Sequence, residues 1–242
     1  MSAHVLNISS VSRRFGGLKA VDRVSFSVPR GEIMGLIGPN GSGKTTLLNV
    51  IMGRLAPSDG TILKDGKRIS GRTPEQICRL GVASTFQLVR VPDALNARDN
   101  VAVAAMYGKR KIGVSAARAE AERLLDRVKF EGNLEAHADQ LTYFDQKRIE
   151  LARALACAPD VLLLDEWLAG LNPSELERGI ELVQSLRGEG ITVVMVEHVM
   201  HAIRSLCSHV VVLSAGKVIA SGTPDEALAH PDVIRVYLGD EQ

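Results

Sequence analysis

The chain has 242 residues, enough for one large domain with an insertion and a substantial core. Its 29 basic and 28 acidic residues leave a net charge of +1, so bulk electrostatics selects neither nucleic acid nor an acidic membrane surface as partner. No apolar run approaches the roughly 18 residues of a bilayer span, the start MSAHVLNISS has no leader layout, and Cys78, Cys157 and Cys207 are scattered outside any C-x-x-C spacing, which suits structural thiols of a reduced, cytosolic protein with at most a peripheral membrane role.

Up to about Phe86, short β-rich runs at 24–28, 33–37, 61–63 and 82–86 alternate with the turn signals Pro29-Arg30-Gly31, Ser58-Asp59-Gly60 and Lys64-Asp65-Gly66. Two helices are expected between them. One covers 46–52; the other opens at Thr73-Pro74-Glu75-Gln76, where Thr73 can cap, Pro74 suits the first helical position and Gln76 can reach back. From 88 to 140 the pattern is helical, at 94–107 and 115–128, with Ala119, Leu124, Leu125 and Val128 as an apolar stripe. After Asp145 the expected order is helix 146–156, strand 161–164, helix 173–186, strand 192–196, helix 199–206 and strand 209–213. A hairpin turning at Ala215-Gly216 and two short helices follow. The runs VLLL and TVVMV are apolar throughout, as in a parallel sheet covered by helices on both faces.

Residues 38–45, GPNGSGKT, fit G-x-x-x-x-G-K-[ST] between a predicted strand and a predicted helix. Gly38, Gly41 and Gly43 let the backbone curl so that the amides around Asn40 and Ser42 point into one concavity, and the helix N-terminus near Thr46 adds its dipole. Lys44 is expected on the β- and γ-phosphates and the Thr45 hydroxyl on Mg²⁺. The strand VLLL then delivers Asp165 beside this loop, where it can hold Mg²⁺, and Glu166 where it can orient or deprotonate a water. The expected fold is α/β, a P-loop NTPase (RecA-like) core with a mainly parallel sheet, an antiparallel β subdomain and an inserted helical subdomain. Its segments are 1–87, 88–145 and 146–242.

With these motifs in this order, the chain resembles the nucleotide-binding subunits of ATP-binding cassette (ABC) transporters over nearly its whole length. The resemblance implies that Phe15 in RRFGGLKAV stacks on adenine; a core phenylalanine is the alternative. It implies that Gln87 in STFQ touches Mg²⁺ and the attacking water, and that His198 in VEHVM contacts the γ-phosphate. His201 forms an H-x-x-H spacing with His198, without further metal ligands in view. Ala169-Gly170-Leu171-Asn172 occupies the family's interface loop, with Asn172 where Asp is more usual, though Asn172 can also simply cap the helix from Pro173. The combination of TFQ, DE-x-LAGLNP, VEHVM and a terminal VYLG is most similar to subunits that energise uptake of branched-chain and other hydrophobic amino acids. The implied cofactors are ATP and Mg²⁺. The implied partners are a second cassette subunit, expected to form a heterodimer, transmembrane permease subunits and, indirectly, a periplasmic or extracellular solute-binding protein, with no nucleic acid. The implied location is peripheral, on the cytoplasmic face of the inner membrane. The alternatives are a regulatory cassette with little hydrolysis and an ATPase subunit for another substrate; a soluble cassette acting on DNA or ribosomes would carry insertions or a second cassette.

The sequence departs from the family at two places. Leu141-Thr142-Tyr143-Phe144-Asp145 stands where the signature is LSGGQ or LSYGQ, the segment that closes over the opposite subunit's γ-phosphate. Thr142 keeps the hydroxyl, whereas Phe144 replaces a glycine and Asp145 is expected to add a charge near the triphosphate. The Thr142-x-x-Asp145 spacing also predicts a self-capped helix start. Trp167 stands where Pro usually follows Glu166, and three places suit it: under the carboxylate, at the dimer interface or at a tolerant surface position.

Overall fold

The computed structural model describes residues 3–110 and 112–238. Two sheets organise it. Strands β1 (His4–Phe15), β2 (Leu18–Pro29), β4 (Asp59–Lys64) and β5 (Lys67–Arg68) form an antiparallel sheet in the order β2-β1-β4-β5. Strands β3 (Ile33–Ile37), β6 (Val82–Ser84), β7 (Val161–Asp165), β8 (Thr192–Val196), β9 (His209–Ser214) and β10 (Lys217–Gly222) form the other, in the order β10-β9-β3-β8-β7-β6. All its pairings are parallel except the β9–β10 hairpin.

The parallel strands are apolar on both faces because both faces are covered. Ile33, Leu162, Leu164, Val193 and Met195 join the core beneath the helical side, while Met34, Leu36, Val161, Leu163, Val194 and Val196 join a second core beneath the antiparallel sheet and α1 (Lys44–Ile51). The alternation follows from the period of two along a strand. On the helical side, α3 (Ala97–Tyr107), α4 (Val114–Arg127) and α5 (Tyr143–Ala156) pack on one another and share their core with the sheet. Helices α2 (Pro74–Arg79), α6 (Pro173–Gly188), α7 (Met200–Leu206), α8 (Pro224–Leu228) and α9 (Pro231–Leu238) complete the covering.

Several boundaries differ from expectation for local reasons. The two 12-residue strands β1 and β2 are far longer than the run at 24–28 suggests. Ser10 has φ 49° and the register slips between Ile8 and Val11, so the inward face changes phase mid-strand and alternation fails as a signal. Helix α3 starts at Ala97 because Asn96 caps it, accepting from Asp99 N at 2.7 Å. Strand β6 ends at Ser84, and the Phe86 amide donates to Glu150 Oε1 at 3.0 Å instead of to a strand. The capping box of Thr73 with Gln76 forms as expected, and Asn172 caps α6 in the same reciprocal manner with Glu175. The terminal VYLG motif runs to Gly239, outside the described residues.

Candidate functional site: a phosphate loop and a three-residue polar end

The loop between β3 and α1 is shaped by glycines that admit no other residue. Gly38 has φ 147° and Gly43 φ 104°. A Cβ on Gly38 would lie 2.1 Å from Leu213 O, and one on Gly43 2.3 Å from Ala20 O. Gly41, at φ 78°, faces open space instead. Helix α1 begins at Lys44, two residues before the expected start, so its first amides, which lack intrahelical partners, lie in the loop itself. Lys44 is 5% exposed, and its Nζ donates to Gly38 O at 2.7 Å and Pro39 O at 2.9 Å. Burial lowers its pKa, opposed by the charges of Glu166 and Asp165.

Strand β7 ends in Asp165, which is buried. Burial raises its pKa and Glu166 raises it further, while Arg54, Lys44 and His198 pull the other way. Asp165 Oδ1 and Ser42 Oγ are buried without a hydrogen-bond partner. Two unpaired oxygen donors beside the phosphate loop fit a hard, oxygen-seeking cation such as Mg²⁺ bound with phosphate.

At Glu166 the chain turns sharply, with φ 50°, while its amide still donates to Val196 O at 2.8 Å. The carboxylate is gripped from two sides. Gln87 Nε2 donates to Oε2 at 3.1 Å, and His198 Nε2 lies 2.9 Å from Oε1, which requires that nitrogen to carry the proton. His201 pairs instead with Glu177 at 3.1 Å, so the H-x-x-H spacing makes no shared metal site, and no cluster of three or more potential ligands occurs among the described residues.

These groups border one open cavity of about 680 Å³. Asn40, Gly41, Ser42, Gly43, Lys44, Thr45 and Thr46 form its floor, with Gln87, Glu166 and His198 at one end and Phe15, Leu18 and Ala20 at the other. Phe15 is 44% exposed with the Arg13 guanidinium 4.7 Å from its ring centroid, so it is not a core phenylalanine. Gly38, Asp165 and Thr142 are not among the lining residues.

A sequence pattern described as ABC transporter matches residues 21–169. The chain belongs to the ABC transporter family. A second pattern, described as branched-chain amino acid ATP-binding cassette transporter, matches residues 217–242. The high-affinity branched-chain amino acid transport ATP-binding protein LivG of Escherichia coli is 37% identical, the match covering 99% of this chain and 100% of LivG. The crystal structure of an ATP-binding cassette of an ABC transporter in its ADP conformation superimposes with a TM-score of 0.87 at 27% identity, covering 99% of this chain and 100% of the other. A dimeric bacterial ABC transporter cassette superimposes with a TM-score of 0.81 at 25% identity, covering 90% and 98%. Among the described residues of this cassette no helix is long and apolar enough to cross a membrane.

The cassette's altered signature segment differs from expectation in its side-chain directions. Thr142 is the N-cap of α5: its Oγ1 accepts from Asp145 N at 3.1 Å and donates to Asp145 Oδ2 at 2.9 Å, the self-capped start that the spacing predicts. Asp145 is not a free charge aimed outward. It is buried, and its Oδ1 accepts from Arg148 Nη1 at 3.1 Å. Phe144 also turns inward: it is 2% exposed, 6.5 Å from the Trp167 ring, and flanked by Arg148 at 4.2 Å and Arg178 at 5.2 Å. Tyr143 takes the outer position at 46% exposure. The reason is the helical period: once Thr142 caps, the second residue of the helix falls on the inward side, against Trp167 and against Arg178 of α6.

Trp167 is fully buried, which rules out a surface position, and its Nε1 donates to Lys147 O at 3.1 Å. Gly179 in α6 makes room for the neighbouring Leu168, whose side chain would lie 2.6 Å from a Cβ there. Four further participants escaped the sequence reading. Arg54 lies near Asp165 and stacks on Phe86 at 4.3 Å; Lys147, Glu150 and Glu197 are buried behind the site. For Glu150 and Glu197 the only signal is charge inside the otherwise apolar stretches IEL and VMVEH, which helix and strand patterns also produce on solvated faces; Arg54 and Lys147 carry none.

Proposed function

We propose that this cassette binds MgATP in the cavity and hydrolyses it to drive import of branched-chain or other hydrophobic amino acids through transmembrane permease subunits. The observation that carries hydrolysis is the Glu166 carboxylate, held by Gln87 and His198 at the phosphate end of the cavity. The substrate class rests on LivG and on the pattern at 217–242.

In this reading Phe15 stacks on the base, and the amides of 40–46 surround the phosphates. Lys44 exchanges its loop carbonyls for phosphate oxygens. Glu166 takes the proton of the attacking water, which Gln87 helps to orient, and His198 donates from Nε2 to the γ-phosphate. Thr45, Gln87 and Asp165 would hold Mg²⁺, which when bound offsets phosphate charge. General-base removal costs about 10²-fold or more in turnover. Glu166→Gln is therefore expected to lower the ATPase rate by at least that factor while a fluorescent ATP analogue still binds; unchanged turnover would sink the assignment.

The partner is a second cassette, met head to tail at the cytoplasmic face of the membrane, with an extracytoplasmic solute-binding protein acting indirectly. Thr142 would present its hydroxyl to the partner's nucleotide, yet that hydroxyl is already committed to Asp145. This supports a heterodimer in which the site completed by Thr142 is the weaker. Comparing ATPase turnover of this chain alone with that of an equimolar mixture with a cassette carrying an intact signature tests it: equal rates per chain would contradict it.

A further inference from the structure

The polar end of the cavity is held from behind by one buried group of charges, Lys147 and Glu150 on α5 and Glu197 just after β8. Glu150, 3% exposed, accepts from the Phe86 amide at 3.0 Å, immediately before Gln87. Lys147, 0% exposed, has its Nζ 3.4 Å from Glu166 O. Glu197, 1% exposed and immediately before His198, accepts from the Leu168 amide at 2.7 Å. The ammonium lies within electrostatic reach of both carboxylates and of Glu166, and its outer side rests on the Tyr143 ring at 5.0 Å. Each of the three residues gathered around the scissile end thus adjoins, or contains, a group bound to this cluster.

The arrangement is expensive for a scaffold. One ammonium faces two carboxylates, and Glu150 Oε2 and Glu197 Oε2 have no hydrogen-bond partner. Apolar residues of similar volume would fill the space with less loss. Glu166, meanwhile, sits at φ 50°, a conformation that a residue with a Cβ keeps only when its surroundings over-determine it. The restraints are the Val196 carbonyl on its amide, Lys147 on its carbonyl, and the Trp167 and Leu168 bonds to Lys147 O and Glu197.

We propose that Lys147 is a positioning residue for ATP hydrolysis: its buried ammonium, donating to Glu166 O, holds the turn that aims the Glu166 carboxylate. This rests on the assignment of Glu166 as the base. It differs from simple charge balance, in which Lys147 would only neutralise its two neighbours.

The test compares steady-state turnover of the full chain with MgATP for wild type, Lys147→Met, the double variant Lys147→Met with Glu197→Gln, and Glu166→Gln. Positioning predicts that Lys147→Met lowers kcat at least tenfold with KM for ATP within twofold. The double variant restores charge balance and is expected to melt near the wild-type temperature yet stay at least tenfold slow. It decides the matter even if Lys147→Met alone does not fold. A kcat within twofold of wild type in either variant, or a loss confined to KM, overturns the proposal. If in that case Glu166→Gln is inactive, the assignment of Glu166 stands and only the positioning role falls. A fully active Glu166→Gln removes both.

Discussion

The phosphate end of the cavity and the altered signature segment are both polar and both lie at helix or strand ends, yet they are built in opposite ways. At the first, Asp165 Oδ1 and Ser42 Oγ are left unpaired, Gly41 leaves open space, and Lys44 is held only by carbonyls of its own loop. At the second, Thr142 and Asp145 bond to each other, Asp145 also accepts from Arg148 Nη1 while the Arg148 Nε stays unpaired, and Phe144 fills the core. Unmet oxygen ligands beside the phosphate loop suit a ligand, whereas Thr142 and Asp145, already bonded to each other, have less to offer one. This chain folds Thr142 and Asp145, aligned with the family's signature, back on each other.

Trp167 joins the two regions, so its removal should have the largest effect. Trp167→Ala is expected to destabilise the fold by about 3–5 kcal/mol, a cavity cost that urea denaturation would read. It should lower turnover as well, since the same side chain flanks Glu166; a variant of wild-type stability would show that the indole is not part of the core. Phe15→Ala acts on the other end of the cavity. Loss of base stacking should weaken ATP about tenfold in a titration, with the melting temperature unchanged because the ring is 44% exposed.

Thr142→Val breaks the closed segment alone. Loss of the cap should cost about 1 kcal/mol in thermal denaturation and leave this chain's own ATP affinity untouched; a fall in that affinity would mean that the two regions are not separate. The smallest effect is a pH dependence. Burial pushes the Glu197 carboxyl up to about 7, against the Leu168 amide and Lys147. Between its unfolded value, near the ordinary 4.5, and about 7, the folded state holds the extra proton. The stability this contributes is full below that window and is lost as pH rises through it. Glu197→Gln should flatten the decline of melting temperature between pH 5 and pH 8, while an unaltered slope would place the titration elsewhere.

Much of the molecule is legible locally. The phosphate loop, the strands β3, β7 and β8, and the caps at Thr73, Thr142 and Asn172 each depend on residues within a few positions of one another, so spacing alone carries them. The same spacing determined that Thr142 closes on Asp145. What the sequence left open was direction. Gln87 and Glu166 are 79 positions apart and Glu166 and His198 are 32 apart, and only the parallel order of β6, β7 and β8 brings their ends together. Nor could a string of letters tell that Phe144 faces Trp167 rather than solvent, or that Lys147, Glu150 and Glu197 are buried charges. A helix has a periodic set of faces, but which face is covered depends on the sheet that packs against it, and that is a property of the assembled fold.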